Sequence, residues 1–81
     1  MKKEYKVSEL TIKDLRVLNE KKQQDISKML EISDTGYRKK EQGISPITVQ
    51  EGKKLMDFYN LSFEEMYKIV ENTKKNKKKD I

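Results

Sequence analysis

Apolar residues recur every three or four positions through most of the chain, which is the period of a helix that packs one side against a core. Ile12, Leu15 and Leu18 follow this spacing, as do Ile26 and Leu30. The pattern predicts five short helices, at about 12–20, from 23 onward, 34–42, 49–59 and 63–72. Beyond the first ten residues no stretch alternates as a β-strand does. An all-α fold is therefore expected.

Residues that cap helices stand at the predicted starts and ends. Thr11 and Asp14 form a variant of the capping box, in which each side chain accepts a hydrogen bond from the other residue's backbone amide. Ser33 is placed to cap the helix that begins at 34, and Gly43 stands where a left-handed residue ends it. Complete capping boxes precede the last two helices, at Thr48 and Glu51 and at Ser62 and Glu65.

The last two helices supply much of the predicted core. In the fourth, the inner face is predicted to contain Leu55, Met56 and Tyr59. In the fifth, the residues predicted to be buried are Phe63, Met66, Tyr67 and Val70. Together with Ile69, the fifth helix has more apolar side chains than so small a domain can cover, and the surplus suits the interface of a two-fold homodimer.

Composition limits what the domain can do. The chain has 81 residues, of which 33% are hydrophobic and 41% charged, so one small core must be built from few apolar side chains. Cysteine and histidine are both absent, which removes disulfides, the commonest general base and the usual metal ligands. We therefore expect no enzyme, no catalytic residue, no metal, no cofactor and no small-molecule ligand. No apolar run suits a membrane span or a signal peptide, so a cytoplasmic protein without membrane association is expected.

The net charge of +5 is unevenly distributed along the chain. The last eight residues contain five lysines and one aspartate, a net of +4, whereas the first 73 contain 14 basic and 13 acidic residues, a net of +1. So polar a terminus cannot bury enough apolar surface to fold, and residues 73–81 are predicted to form a disordered, lysine-rich tail. The predicted organisation is an N-terminal arm at 1–10, a domain at 11–72 and this tail.

Residues 23–43 have the features of two short helices joined by a tight turn. Ile26 and Leu30 supply apolar contacts on the first, while Thr35, Arg38 and Lys39 are predicted to point outward from the second. A short, capped helix with outward polar side chains suits the major groove of DNA. This segment is the strongest functional signal in the chain.

The same segment resembles the helix-turn-helix family of phage repressors and Cro proteins, and the resemblance covers about 11–70. The matching residues are Gln23, Ile26, Ser27, Leu30, Ile32, Ser33, Tyr37, Glu41 and Gly43. The resemblance implies a compact five-helix domain similar to that of lambda repressor, with the helix-turn-helix at the second and third helices.

Five residues depart from the family's usual pattern. Glu31 stands in the turn where the family has glycine, and a non-glycine residue at positive φ carries strain on the order of 1 kcal/mol or more. Lys21 and Lys40 replace residues that are usually apolar, although a lysine stem can lie along apolar surface. Gly36 and Gly52 lie inside predicted helices, where each costs roughly 1 kcal/mol relative to alanine. We interpret Gly52 as making room for close helix packing.

The resemblance implies DNA-binding roles on both helices. Gln23 matches the residue that holds the DNA backbone at the start of the second helix. Asp34, Thr35 and Lys39 match residues that read base edges, whereas Arg38 better suits a phosphate. Each has a structural alternative: Gln23 as an ordinary exposed residue, Asp34 as a partner of the helix dipole, and the basic run as solvated surface.

The other candidate site residues lie around the third helix. Ser33 stands at its start, Gly36 would allow the backbone to approach DNA closely, and Gln42 would contact a phosphate beyond its end. Arg16 and Glu41 match a family pair that links the first helix to the end of the third. We expect this pair to be a structural salt bridge and not a DNA contact.

The predicted function is that of a sequence-specific transcriptional regulator that binds double-stranded DNA. The resemblance favours a Cro-like or repressor-like protein of phage or mobile-element origin, acting as a homodimer on two half-sites. The alternative is a protein-interaction or antitoxin-like module on the same fold. Asp34, Gly36 and the nearly neutral charge of the body favour this alternative.

Overall fold

The structure is a computed structural model that describes residues 6–79, with side chains described for residues 6–75. A short 3₁₀ helix, Val7–Glu9, precedes five α-helices. These helices are α1 (Ile12–Leu18), α2 (Gln23–Leu30), α3 (Asp34–Glu41), α4 (Val49–Tyr59) and α5 (Phe63–Lys79). No strand occurs within residues 6–79, so the all-α prediction is confirmed. No helix in this part of the chain is long and apolar enough to cross a membrane.

The caps predicted from the sequence begin four of the five α-helices. At α1, the Thr11 hydroxyl accepts from the Asp14 amide at 3.2 Å, and the Asp14 carboxylate accepts from the Thr11 amide at 3.0 Å. The same reciprocal bonds begin α4 and α5, at Thr48 and Glu51 and at Ser62 and Glu65. These side chains satisfy backbone amides that have no partner within the helix. The starts of these helices are therefore set locally.

All five helices contribute to one hydrophobic core. The buried apolar residues are Ile12, Leu15, Ile26, Leu30, Tyr37, Leu55, Met66 and Ile69. Met56 and Tyr59 are half-buried and pack against this cluster, as the predicted inner face of α4 requires. Since α3 contributes only Tyr37 from its apolar residues, its position depends on few contacts.

The predicted burial of α5 is wrong at two positions. Phe63 and Tyr67 are 74% and 56% exposed, whereas Ile69 is fully buried. Met66, Ile69 and Thr73 follow one another at helical spacing and face the core, which turns Phe63 and Tyr67 to the flank of the helix. A large apolar surface therefore remains uncovered on α5.

The C-terminal helix is longer than predicted. It runs to Lys79 instead of ending near 72, and Thr73, which the sequence assigned to the tail, is 2% exposed. The Thr73 hydroxyl accepts from the Ile12 amide at 3.1 Å and donates to the Ile69 carbonyl at 2.8 Å. The boundary predicted between domain and tail is thus too early. Residues 80 and 81 lie outside the described residues.

The N-terminal segment packs against α5. The Asn72 side-chain amide donates to the carbonyls of Ser8 and Leu10, at 2.8 and 2.9 Å. Val7 and Leu10 are half-buried against the core. The part of the predicted arm from residue 6 onward is therefore integrated into the domain, while residues 1–5 lie outside the described residues.

The backbone conformation or surroundings of three residues, Glu31, Gly43 and Gly52, test what the sequence predicts for them. Glu31 ends α2 with φ 62° and ψ 42°, the left-handed conformation predicted for it. Gly43 has φ 78° just after α3, where glycine adopts this conformation without strain. A Cβ at Gly52 would meet nothing within 4 Å, so the interpretation that Gly52 permits close packing is wrong.

We expect Glu31→Gly to raise the free energy of unfolding by about 0.5–1 kcal/mol, because relief of left-handed strain exceeds the added entropy of the unfolded chain. Glu31→Ala is the matched control, since alanine keeps a Cβ in the left-handed conformation. Urea unfolding followed by circular dichroism measures both. If Glu31→Gly were no more stable than Glu31→Ala, the relief of strain would not exceed the added entropy and the expectation would be wrong.

Candidate nucleic-acid interface

The turn between α2 and α3 is fixed by a buried serine. Ser27 is 1% exposed, and its hydroxyl contacts the Gln24 carbonyl at 3.1 Å and the Asp34 carboxylate at 2.5 Å. The bond to Asp34 joins the second turn of α2 to the first residue of α3. Ser33 completes the junction, since its hydroxyl accepts from the Gly36 amide at 2.9 Å. The two helices are therefore held at a defined angle by side-chain hydrogen bonds as well as by the core.

The outer surface of α3 is a single polar stripe. Thr35, Arg38, Lys39 and Gln42 stand three and four positions apart, and all four are exposed. Tyr37 and Glu41, both buried, anchor the opposite side of the helix. The exposed side chains of Thr35 and Lys39 point outward from α3, as expected from the sequence. We refer to these four residues as the outer stripe.

Asp34 and Gly36 are more constrained than the outer stripe. The Asp34 carboxylate is exposed but already bonded to Ser27, so it has a structural role in the turn in addition to its place at the helix start. A Cβ on Gly36 would lie 3.0 Å from the Ser33 hydroxyl oxygen. The absence of a side chain at 36 thus protects the cap of α3.

Arg16 and Glu41 form an ion pair between α1 and α3. Arg16 Nε lies 2.5 Å from Glu41 Oε2, and Arg16 Nη2 donates to Glu41 Oε1 at 3.3 Å. The Gln23 side-chain amide donates to the same Oε1 at 3.2 Å, and Arg16 Nη1 donates to the Lys21 carbonyl at 3.0 Å. The side chains of Arg16 and Glu41 are 13% and 4% exposed. One carboxylate therefore connects α1, α2 and α3.

The electrostatics of this junction favour the charged form of Glu41. Burial alone raises the pKa of Glu41, but its polar surroundings, foremost the hydrogen bond from Arg16, outweigh burial and leave the pKa below its ordinary value. Burial raises the pKa of Tyr37, and it raises the pKa of Tyr59 to about 12. The two phenols remain neutral at physiological pH, so the ion pair carries the charge of the junction.

A basic cleft of about 690 Å³ opens beside the start of α2. It is lined by five cations and one carboxylate: Lys13, Arg16, Lys21, Lys22, Arg38 and Glu41, with Gln23 and Gln42 beside them. Lys13 and Lys22 are not among the residues predicted from the sequence, because the nearly neutral net charge of the first 73 residues gives no sign of a local concentration of positive charge. The run of basic residues immediately before Gln23 was the available signal.

Two lysines that depart from the family pattern have structural partners. Lys40 Nζ donates to the Pro46 carbonyl at 2.7 Å and lies 3.0 Å from a Glu51 carboxylate oxygen, which joins α3 to the start of α4. Lys21 Nζ lies 5.8 Å from the centre of the Phe58 ring, within the range of a cation–π contact. Lys40 is thus a connector within the fold, whereas Lys21 serves both the fold and the basic cleft.

These observations define a helix-turn-helix domain: two short helices fixed by a tight turn, the second with a polar outer stripe next to a basic cleft. The model of the family described as helix-turn-helix matches residues 12–66, which is more than half of the chain. The chain belongs to this helix-turn-helix family, whose Cro-type members the sequence resembles, and it is a DNA-binding regulator in the general sense. No curated protein and no solved structure matches the chain.

The ion pair between Arg16 and Glu41 should make the free energy of unfolding depend on pH. A glutamate whose pKa is depressed in the folded state stabilises the fold above its unfolded-state pKa, about 4.3, and this contribution is lost as the pH falls through the folded value. We expect Glu41→Gln to lower the free energy of unfolding by roughly 2 kcal/mol at pH 7 and to flatten its decline below about pH 4.

Urea unfolding at pH values between 3 and 7 measures this effect, and Glu64→Gln, at an exposed position in the first turn of α5, serves as the control. The control should retain the acid dependence of the natural chain. If Glu41→Gln retained it as well, the junction would not carry the charge assigned to it.

Proposed function

We propose that the chain is a sequence-specific transcriptional regulator, with α3 lying in the major groove of double-stranded DNA. The observation that carries the proposal is the outer stripe: four exposed polar side chains on one face of a rigid, capped helix, adjoining a basic cleft. An α-helix fits the width of the major groove, about 12 Å, and there reaches the edges of base pairs.

The residues of the outer stripe differ in the part of DNA that their side chains suit. The Thr35 methyl group suits the methyl group of thymine, and the Lys39 ammonium suits the O6 and N7 acceptors of guanine. Arg38 lines the basic cleft as well as belonging to the outer stripe, so it is placed for a phosphate. Gln42 lies at the same border. Asp34 is the weakest candidate for base reading, because Ser27 already uses its carboxylate.

The basic cleft suits the DNA backbone. Gln23 is the first residue of α2, where unpaired backbone amides favour an anion. The primary amide of Gln23 has two hydrogens, and with one on Glu41 the second is available to a phosphate oxygen. Lys13 and Lys22 would add charge on either side. The ion pair with Glu41 would orient these donors, which gives Arg16 a positioning role.

The finer features of the regulator follow from the resemblance. We infer a Cro-like repressor of phage or mobile-element origin that acts in the cytoplasm as a homodimer on paired half-sites. Such a protein would regulate by occupying its operator, so no cofactor, metal or small-molecule ligand enters the proposal. The charged and polar chemistry of α3 supports this mechanism.

A protein-interaction module on the same fold is the second candidate. Asp34 places a carboxylate at the start of the helix that would face DNA, where it repels phosphates. The first 73 residues also have a net charge of only +1, which gives little long-range attraction to nucleic acid. Selection of duplexes from a random DNA library at low salt separates the candidates, because the interaction module would enrich no sequence.

For the selected duplex, we expect Lys39→Ala and Thr35→Ala each to cost about 1–3 kcal/mol in binding, a loss of roughly 5- to 150-fold, and to relax preference at one base pair. Fluorescence anisotropy against all single-base variants of the site measures both effects. Lys68→Ala, an exposed lysine on α5, is the control and should leave the sequence preference unchanged. Equal losses on every sequence would remove Lys39 and Thr35 from base reading.

The cleft residues should behave differently. Lys22→Ala and Arg38→Ala are expected to weaken binding to all sequences alike and to reduce the slope of log affinity against log salt by about 0.9 each, since each cation releases a counterion. Titrations at four salt concentrations measure the slope. An unchanged slope would place the DNA backbone elsewhere on the molecule.

A further inference from the structure

A second ion pair connects α3 to α4, apart from the junction at Glu41. Lys40 lies in the last turn of α3, and its Nζ is 3.0 Å from Oε1 of Glu51 in the first turn of α4. The same Nζ donates to the Pro46 carbonyl at 2.7 Å, in the loop between the two helices. One ammonium group therefore contacts both the loop and α4. We refer to Lys40, Glu51 and the Pro46 carbonyl as the α3–α4 strap.

The strap is shielded from water and charged. The side chains of Lys40 and Glu51 are each 13% exposed. Burial raises the pKa of Glu51, but its polar surroundings, foremost the hydrogen bond from the Thr48 amide and then that from Lys40, outweigh burial and leave the pKa below its ordinary value. Glu51 is therefore ionised at physiological pH, and a pair so little exposed is weakly screened by salt.

The loop that the strap holds is bonded to the backbone of Lys39. The amides of Ile44 and Ser45 both donate to the Lys39 carbonyl, at 2.9 and 3.3 Å. Gly43, with φ 78°, turns the chain back over the end of α3, and its amide donates to the Lys40 carbonyl at 3.1 Å. Since Lys39 belongs to the outer stripe, the backbone of one stripe residue is bonded directly to the loop that Lys40 secures.

We infer that Lys40 is a positioning residue for the reading of DNA sequence: through the α3–α4 strap it fixes the last turn of α3, and with it Lys39 and Gln42. This inference deepens the proposed function and rests on it. A hydrogen bond to a base edge requires a separation of about 3 Å, so a displacement on the order of 1 Å removes it. Attraction to a phosphate falls only slowly with distance. Loss of the strap should therefore affect base reading more than backbone binding.

The consecutive basic residues of α3 thus lie in different surroundings. Arg38 lines the basic cleft, Lys39 is exposed on the outer stripe, and Lys40 directs its ammonium to partners within the fold. An ion pair with a hydrogen bond is directional, whereas apolar contact is not. A lysine at position 40 therefore defines the arrangement of α3 and α4 more narrowly than the apolar residue that is usual in the family.

A double variant, Lys40→Met with Glu51→Gln, tests the inference without leaving a charge unpaired. Methionine keeps an unbranched stem, and glutamine keeps the oxygen that caps α4, so the variant should fold, which circular dichroism checks. On the selected duplex we expect a loss of roughly tenfold in affinity, with affinity for an unrelated duplex unchanged. Glu51→Gln alone also breaks the pair and should show the same loss. Lys53→Met, at an exposed lysine of α4, is the control and should change neither affinity.

The dependence on salt separates positioning from direct contact. A lysine that binds a phosphate contributes about 0.9 to the slope of log affinity against log salt. The double variant should keep the slope of the natural chain, because Lys40 already faces Glu51. Lys40→Arg, which retains the charge and the donors, should keep the sequence preference. A slope reduced by about 0.9 in the double variant would make Lys40 a phosphate contact and overturn the inference.

Amide hydrogen exchange separates this inference from the proposed function, because it requires no DNA. In the double variant the amides of Ile44 and Ser45 should exchange about tenfold faster, since the loop is no longer held. The Tyr37 amide, bonded to the Ser33 carbonyl at 2.9 Å in the first turn of α3, should be unaffected.

The possible results lead to different conclusions. If exchange at Ile44 and Ser45 is unchanged, the strap does not hold the loop and the inference fails. If the natural chain selects a duplex and the double variant keeps the full preference for it, the inference fails while the proposed function stands. If exchange accelerates but the natural chain selects no duplex, the proposed function fails and the role in reading DNA fails with it, whereas the hold of the strap on the loop stands.

Discussion

The Glu41 carboxylate is the constraint on which the position of α3 depends. α3 is short and contributes one buried apolar side chain, Tyr37, so apolar packing alone defines its position weakly. Glu41 helps to fix the position of α3, because its carboxylate binds both Arg16 of α1 and Gln23 of α2. Breaking a buried pair of this kind leaves an uncompensated charge, which is costly in a low-dielectric surrounding. The orientation of the outer stripe therefore depends on electrostatics as much as on packing.

The same junction connects the core to the surface that would meet DNA. Arg16 uses Nη1 to hold the Lys21 carbonyl, and this fixes the chain just before the basic cleft. Gln23 has one hydrogen bond into the junction and faces the cleft with the rest of its amide. A change in the ion pair would consequently displace donors of the cleft and side chains of the outer stripe together.

Local signals were enough to predict most of the fold. The capping residues at Thr11, Ser33, Thr48 and Ser62 act within three residues of themselves, so the sequence contains all that is needed to place those helix starts. The end of α5 could not be predicted in this way, because Thr73 is buried where α5 packs against the beginning of the chain, and its hydrogen bond with the Ile12 amide spans 61 residues. The outer stripe was predicted from helical spacing, whereas the cleft required tertiary structure to bring Lys13 beside Lys22.

The hydrogen bonds between α5 and the beginning of the chain have a consequence for how the domain assembles. Thr73 completes the first turn of α1, and Asn72 holds the carbonyls of Ser8 and Leu10. These bonds join residues more than 60 positions apart, so the N-terminal turn has its partners only where α5 is docked against it. A polypeptide limited to residues 12–66 would lack these bonds, so the segment that the family model matches is smaller than the unit whose two ends they join.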